Sequence, residues 1–106
     1  MKPARLRVKA KVDLAELGLY YAEVGGPDLG QRAIDDALRA LGVLGQQPGI
    51  GSQKWALKGE QPPLRAWRLR QFPAVWLYFE RADHLDMVRL LGERQDIGRI
   101  LADDPA

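Results

Sequence analysis

Residues 64–97, LRAWRLRQFPAVWLYFERADHLDMVRLLGERQDI, contain three short runs in which apolar and polar side chains alternate, broken at Gln71-Phe72-Pro73 and Ala82-Asp83-His84. A period of two is the signature of a strand with one face packed, and turn-forming breaks between such runs predict three consecutive antiparallel strands. Alternation puts Trp67 and Leu69 on one side of the first strand. On the middle strand it gives Val75, Leu77 and Phe79 as the buried face and leaves Trp76 and Tyr78 on the other. Arg65, Arg68, Arg70, Arg81, Arg89 and Arg94 run through this stretch among the acids Glu80, Asp83, Asp86, Glu93 and Asp96. One face of the sheet is therefore expected to be packed and the other to carry charge.

A sheet with an apolar face needs a cover, and the preceding sequence supplies one. From about residue 10 the period lengthens: Leu14, Leu17, Tyr20 or Tyr21, and Val24 recur at three- and four-residue spacing, with Asp13 and Glu16 expected in the first helical turn, where the macrodipole favours acids. Gly25-Gly26 ends this helix. Pro27 at a first helical position, with Asp28 beside it, opens a second that aligns Ile34, Ala37, Leu38, Leu41 and Leu44, and Gly45 is expected to close it as a left-handed cap. Arg32 with Asp36, and Asp35 with Arg39, stand four apart and predict a solvated outer face. The short connection makes the pair an antiparallel hairpin. Burying four or five aliphatic side chains per helix, at roughly 1.5 to 3 kcal/mol each, outweighs those exposed pairs and drives the hairpin onto the sheet.

Residues 4–8 alternate Arg5 and Arg7 with Leu6 and Val8 and predict a short strand whose partner is the later sheet. Residues 46–63, rich in Gly and Pro, form a long connection in which Trp55, between Lys54 and Lys58, anchors the loop on the core. Residues 95–102 predict a short terminal helix or tail carrying Ile97, Ile100 and Leu101, and the acidic end, residues 102–106, is expected to fray. The fold class is thus α+β: an N-terminal strand and an antiparallel helical hairpin packed on a small antiparallel sheet, in one domain spanning 1–106. At 106 residues there is room for one core.

Composition narrows the chemistry. The chain has no cysteine and a single histidine, which excludes a disulfide framework, a cysteine nucleophile and a multi-histidine metal site. No apolar run approaches the roughly 18 residues of a membrane span, so a cytoplasmic protein is expected. The net charge of +2 is too small to imply nucleic acid by itself. RNA cleavage by 2′-hydroxyl attack needs a base, cations and an acid. Arg68, Arg70, Arg81 and Arg89 are available as cations and Tyr78 or His84 as an acid. A base is lacking, because Glu80 reads as a cross-strand ion partner and His84 lies at a hairpin tip. Arginine, always protonated, suits binding and charge stabilisation better than proton abstraction.

Specific residues in this order carry a family resemblance. Lys9-Ala10-Lys11-Val12-Asp13-Leu14-Ala15-Glu16-Leu17 resembles the opening of ParE-type toxins, and Gln47-Pro48-Gly49-Ile50-Gly51 resembles their Pro-x-Ile-Gly turn after the second helix. Leu64-Arg65 is similar to their entry to the sheet and Phe72-Pro73 to their turn. Val88-Arg89-Leu90-Leu91 with Arg94-Gln95-Asp96-Ile97 is similar to their closing strand and tail. Gly92-Glu93 stands where the family often has His-Gly, and the 52–63 loop is longer than usual.

The resemblance implies a toxin of the RelE/ParE superfamily from a type II toxin–antitoxin module. Such a ParE-like toxin poisons DNA gyrase and is neutralised by a ParD-like antitoxin in a hetero-oligomer, which meets operator DNA only through the antitoxin. No metal or organic cofactor and no membrane partner is expected. The alternatives on the same fold are a RelE-like ribosome-dependent mRNA interferase, with Lys54 and Lys58 as its lysine pair, and a non-toxic antitoxin-binding component. For target binding the candidates are Arg65 and Arg89, at positions the family pattern picks out, together with Arg68, Arg70 and Arg94. For antitoxin binding they are Leu17, Tyr20, Tyr21, Trp76 and Tyr78, because aromatics left on an open face suit a partner.

Overall fold

The computed structural model describes residues 1–103, so the expected fraying of the acidic end falls, for residues 104–106, outside the described residues. The order of elements is β1 (Ala4–Leu6), α1 (Val8–Gly25), α2 (Pro27–Gln46), a 3-10 turn (Pro48–Ile50), β2 (Arg65–Arg68), β3 (Ala74–Glu80), β4 (Leu85–Gly92) and α3 (Ile97–Ala102). The sheet order is β1-β4-β3-β2. The three later strands form the expected antiparallel meander. β1 joins it in parallel with β4, Ala4 opposite Leu85 and Leu6 opposite Met87, so the sheet is mixed where a purely antiparallel one was expected. The parallel register follows from the hairpin: α1 runs on alongside β4, where Asp13 reaches Leu90, and α2 brings the chain back to the start of β1, where Gly45 meets Lys2, before the meander begins.

Both faces of the sheet are covered, and this overturns the expectation for Trp76 and Tyr78. These two, with Leu85, Met87 and Leu90, pack beneath the hairpin against Ala33, Ala37, Ala40 and Leu44. Trp76 and Tyr78 are 0% exposed. The Trp76 indole Nε1 donates to the Ala37 carbonyl at 3.0 Å, and the Tyr78 hydroxyl donates to the Pro48 carbonyl at 2.7 Å while accepting from Gly51 N at 3.1 Å. Large rings whose polar atoms find backbone partners are cheap to bury. Val75 and Leu77 face the other way, with Leu64, Val88, Leu91 and Ile97, beneath Trp55, Ile100 and Leu101.

The helices depart from expectation at three places. α1 begins at Val8 directly after β1, where Arg7 N donates to Met87 O at 3.0 Å, so Asp13 falls beyond the first turn. Gly45 lies inside α2, not at a cap, and Gln47 ends the helix with φ −134°. The smallness of Gly45 serves a crossing: a Cβ there would stand 2.8 Å from the Lys2 carbonyl oxygen, and Lys2 N donates to Gly45 O at 3.0 Å. Between the helices it is Gly26 that takes a positive φ, 93°. Asp36 is 2% exposed and accepts from Gln71 N and Phe72 N at 2.9 and 3.0 Å, so it caps the β2–β3 turn and is no part of a solvated face.

The 46–63 connection is tied down at several points. Ser52 pairs with Ala66 on the outer edge of β2, and Glu60 accepts from the Leu57 and Leu64 amides at 3.1 and 3.2 Å. Trp55 packs on the second core as expected. No helix among the described residues is long and apolar enough to cross a membrane.

Candidate functional site

β1 pairs β4 only as far as Met87, which leaves the β1-side edge of the rest of β4 to α1. Asp13 takes it: one carboxylate oxygen accepts from Leu90 N at 2.9 Å, and the two oxygens receive Arg89 Nε and Nη2 at 2.8 and 3.0 Å. The register between β3 and β4 shifts at Leu77/Tyr78, which pair with Arg89 and Met87 and leave Val88 as the extra residue of a bulge. A bulge next to an edge re-aims the neighbouring side chain, here Arg89 toward α1. The bidentate pair is a charge-assisted clamp between helix and sheet.

Beside this clamp a groove of about 730 Å3 opens between α1, the end of β4 with its following turn, and the β2–β3 turn. Leu17, Tyr20 and Tyr21 form its apolar wall, and Arg89 and Arg94 lie on the strand side with Glu16 and Glu93 at its margins. Its aromatic wall is graded outward from the core. Phe72 is buried, Tyr21 meets it edge-on at 4.7 Å, and Tyr20 meets Tyr21 edge-on at 5.0 Å while remaining 59% exposed. A wide apolar wall ending in a wet phenol, opposite a cation, is the composition of a protein-binding surface.

The structure thus brings together five of the sequence candidates, Leu17, Tyr20, Tyr21, Arg89 and Arg94, and merges the antitoxin set with part of the target set. The others are dispersed. Arg65 donates from Nη1 to the Gly49 and Gly51 carbonyls at 3.0 and 2.9 Å, clamping the chain after α2. Arg68 is bound to Glu93 and donates to Leu69 O at 2.8 Å. Arg70 is exposed beside Asp36 and Arg39, on the far side of the β2–β3 turn. Trp76 and Tyr78, in the core, have no surface to offer a partner.

The groups weighed for RNA cleavage do not converge. Tyr78 is enclosed and its hydroxyl pKa is raised by burial. Glu80 pairs with Lys2 at 2.9 Å, and Arg81 stacks over Phe79 at 4.7 Å while donating to Asp86. Asp86 also receives Arg7 at 2.9 and 2.8 Å. Its carboxyl is held below the ordinary range by the Arg7 hydrogen bonds and then by Arg81, against the opposing effect of burial. His84 Nδ1 lies 2.7 Å from Asp83 in the β3–β4 turn, and that hydrogen bond lowers the Asp83 pKa. Lys54 lies over the Trp55 ring at 5.2 Å, and Lys58 is exposed in the same loop. No group of three or more metal-ligating side chains occurs among the described residues.

Sequence reasoning missed the roles of Asp13 and Asp36. A signal was present, since aspartate is a poor residue for a helix interior, where its short carboxylate competes for backbone hydrogen bonds. Both carboxylates do bond backbone amides, but amides of the sheet and its turn.

No family model and no curated protein matches the sequence. Among solved structures, a chain from a work titled "Chromosomal ParDE TA system from P. aeruginosa" shares the fold with a TM-score of 0.69. It is 21% identical, and the alignment covers 87% of this chain and 96% of that one.

Proposed function

We propose that this chain is the toxin of a type II toxin–antitoxin module, ParE-like, with DNA gyrase as its target and a ParD-like antitoxin as its inhibitor. The observation that carries the reading is the likeness of fold, over nearly the whole length of both chains, to a chain of a ParDE system. The motif order from Lys9 to Ile97 supports it independently. The groove supplies the working surface: the tyrosine wall suits an apolar segment of a partner, and Arg94 offers an exposed charge at its rim. Toxicity in this reading is binding, which stabilises the cleaved-DNA state of the topoisomerase. The groups that RNA cleavage would need lie apart, with Tyr78 committed to backbone partners.

The experiment is DNA supercoiling by purified gyrase in the presence of the antitoxin-free protein, beside a translation reaction probed for cut mRNA. Inhibited supercoiling with accumulated cleaved DNA and intact mRNA is the expected outcome. Unaffected gyrase with mRNA cut at the ribosome would assign the chain to the interferase branch, and neither effect would leave an antitoxin-binding component without toxicity. Arg94→Glu is the informative variant. Arg89 is built into the fold through Asp13, so its loss confounds binding with stability, whereas exposed Arg94 can change charge without unfolding the domain.

A further inference from the structure

Between the second half of α2 and the outermost strand, β2, lies a cleft of about 210 Å3, with Arg39 and Val43 on the helix side and Trp67, Arg68 and Arg70 on the strand side. Its charges are unevenly spent. Asp36, the one carboxylate that lines it, is 2% exposed and is occupied by the Gln71 and Phe72 amides. Arg39 is exposed, and its Nη1 stands 3.9 Å from Asp36, beyond hydrogen-bond reach. Arg70 is exposed and has no ion partner among the described residues. Arg68 is taken up by Glu93, and Arg32 and Asp35, a turn earlier on α2, offset each other in charge. Two guanidinium groups are left over. Beside them Trp67 is partly exposed; it stacks on no other ring, and its indole N–H is neither enclosed nor bonded within the described residues.

We propose that this cleft binds single-stranded nucleic acid, with phosphates on Arg39 and Arg70 and a base against the Trp67 ring. Guanidinium forks match phosphate oxygens, and an aromatic face beside them is the composition of a single-strand platform. The size of the cleft selects a polymer. It is smaller than the roughly 300 to 1,000 Å3 that enclose a free small molecule, so it admits one unit of a chain whose remainder lies across the surface. The ring separates nucleic acid from an acidic peptide, whose carboxylates would use the arginines and leave Trp67 idle. It also favours a single strand, because a duplex keeps its bases stacked on one another. Contacts to phosphate and to a ring face carry no base code, so binding is independent of sequence. The cleft shares no lining residue with the groove, and a strand held here does not exclude a protein partner there. The site does not depend on gyrase being the target; in the proposed toxin it would hold a strand of the cleaved DNA.

A fluorescent oligothymidylate of about 15 nucleotides, titrated with the full chain in the absence of gyrase, is the test. It should bind at low salt with a Kd of about 1 to 100 μM, and more tightly than the same strand paired in a duplex. Arg39→Gln and Arg70→Gln should each weaken binding roughly fivefold or more and make the log–log salt dependence shallower by about 0.7. Trp67→Leu should lose the preference for a single strand and Trp67→Phe should keep it, whereas Lys11→Gln, at an exposed cation on α1, should change neither quantity. Four results would each overturn the proposal: no binding at protein concentrations up to about 1 mM, a duplex held as tightly as the strand, an equal loss in Lys11→Gln, or displacement of the oligomer by a polyglutamate peptide of equal charge. With gyrase absent from the titration, such a failure leaves the supercoiling experiment and its reading untouched.

Discussion

Two aspartates and one arginine pair decide how the layers meet. Asp36 reaches from α2 to two amides of the β2–β3 turn, and its removal leaves two donors without partners in a closed site. Asp36→Ala is expected to cost about 2 to 4 kcal/mol in urea unfolding, with Asp36→Asn recovering a large part because one acceptor oxygen remains. A loss below about 0.5 kcal/mol would show that the turn holds without its cap. Asp86 gives a pH signature. Its folded pKa lies below the ordinary value because Arg7, then Arg81, stabilise the carboxylate. The stabilisation is therefore complete above the ordinary carboxylate pKa and is lost as pH falls through the lower folded value. Asp86→Asn should lower the urea midpoint near neutrality, and that deficit should shrink as pH falls below the ordinary carboxylate range; a deficit independent of pH would mean that packing, not charge, is at stake. The partners that join a helix to the sheet were not legible in the sequence. The chain positions 13 and 89, or 36 and 71, are joined only by the way a helix crosses a sheet, and i,i+4 spacing proposed nearer partners that solvent screens.

At the scale of elements, alternation marked the strands and turns of the meander well, because a half-buried strand repeats every second residue whatever it packs on. Alternation does not say which face receives the helices. Both faces of β3 are apolar, Trp76 and Tyr78 on one and Val75 and Leu77 on the other, and the second cover comes from residues 53–63 and α3, which were legible as an anchored loop and a short helix while the face they close was not. Trp55 is the keystone of that cover: its ring packs on the second core, and a Cβ on Gly98 would stand 3.2 Å from it. Trp55→Ala is expected to cost about 1 to 3 kcal/mol, less than for a fully enclosed ring. Amide exchange should rise in 53–63 and 97–102 while α1 and α2 keep their protection. Equal loosening of the hairpin would mean that the two faces of the sheet unfold as one unit.

For the whole molecule, the sheet is a wall with a different use on each side and at each end. The hairpin side holds the main core, the opposite side is closed by the Trp55 loop and α3, and the groove lies where α1 leaves the sheet at the end of β4. The sequence assigned Leu17, Tyr20 and Tyr21 to one partner and Arg89 and Arg94 to another; the fold sets all five around one opening. Two partners that use one opening of about 730 Å3 compete for it. If the chain acts as the proposed toxin, neutralisation is then simple occlusion, and a ternary complex of toxin, antitoxin and gyrase should not form. Gyrase immobilised on a surface should retain the free toxin and fail to retain the toxin–antitoxin complex. Tyr20→Ala, which removes an exposed ring with little effect on the core, should weaken antitoxin binding at least tenfold, as an aromatic anchor does, and release toxicity at antitoxin levels that silence the wild type. Arg94→Glu should act on gyrase inhibition with stability unchanged. Retention of an intact ternary complex would separate the two surfaces and place the antitoxin outside the groove.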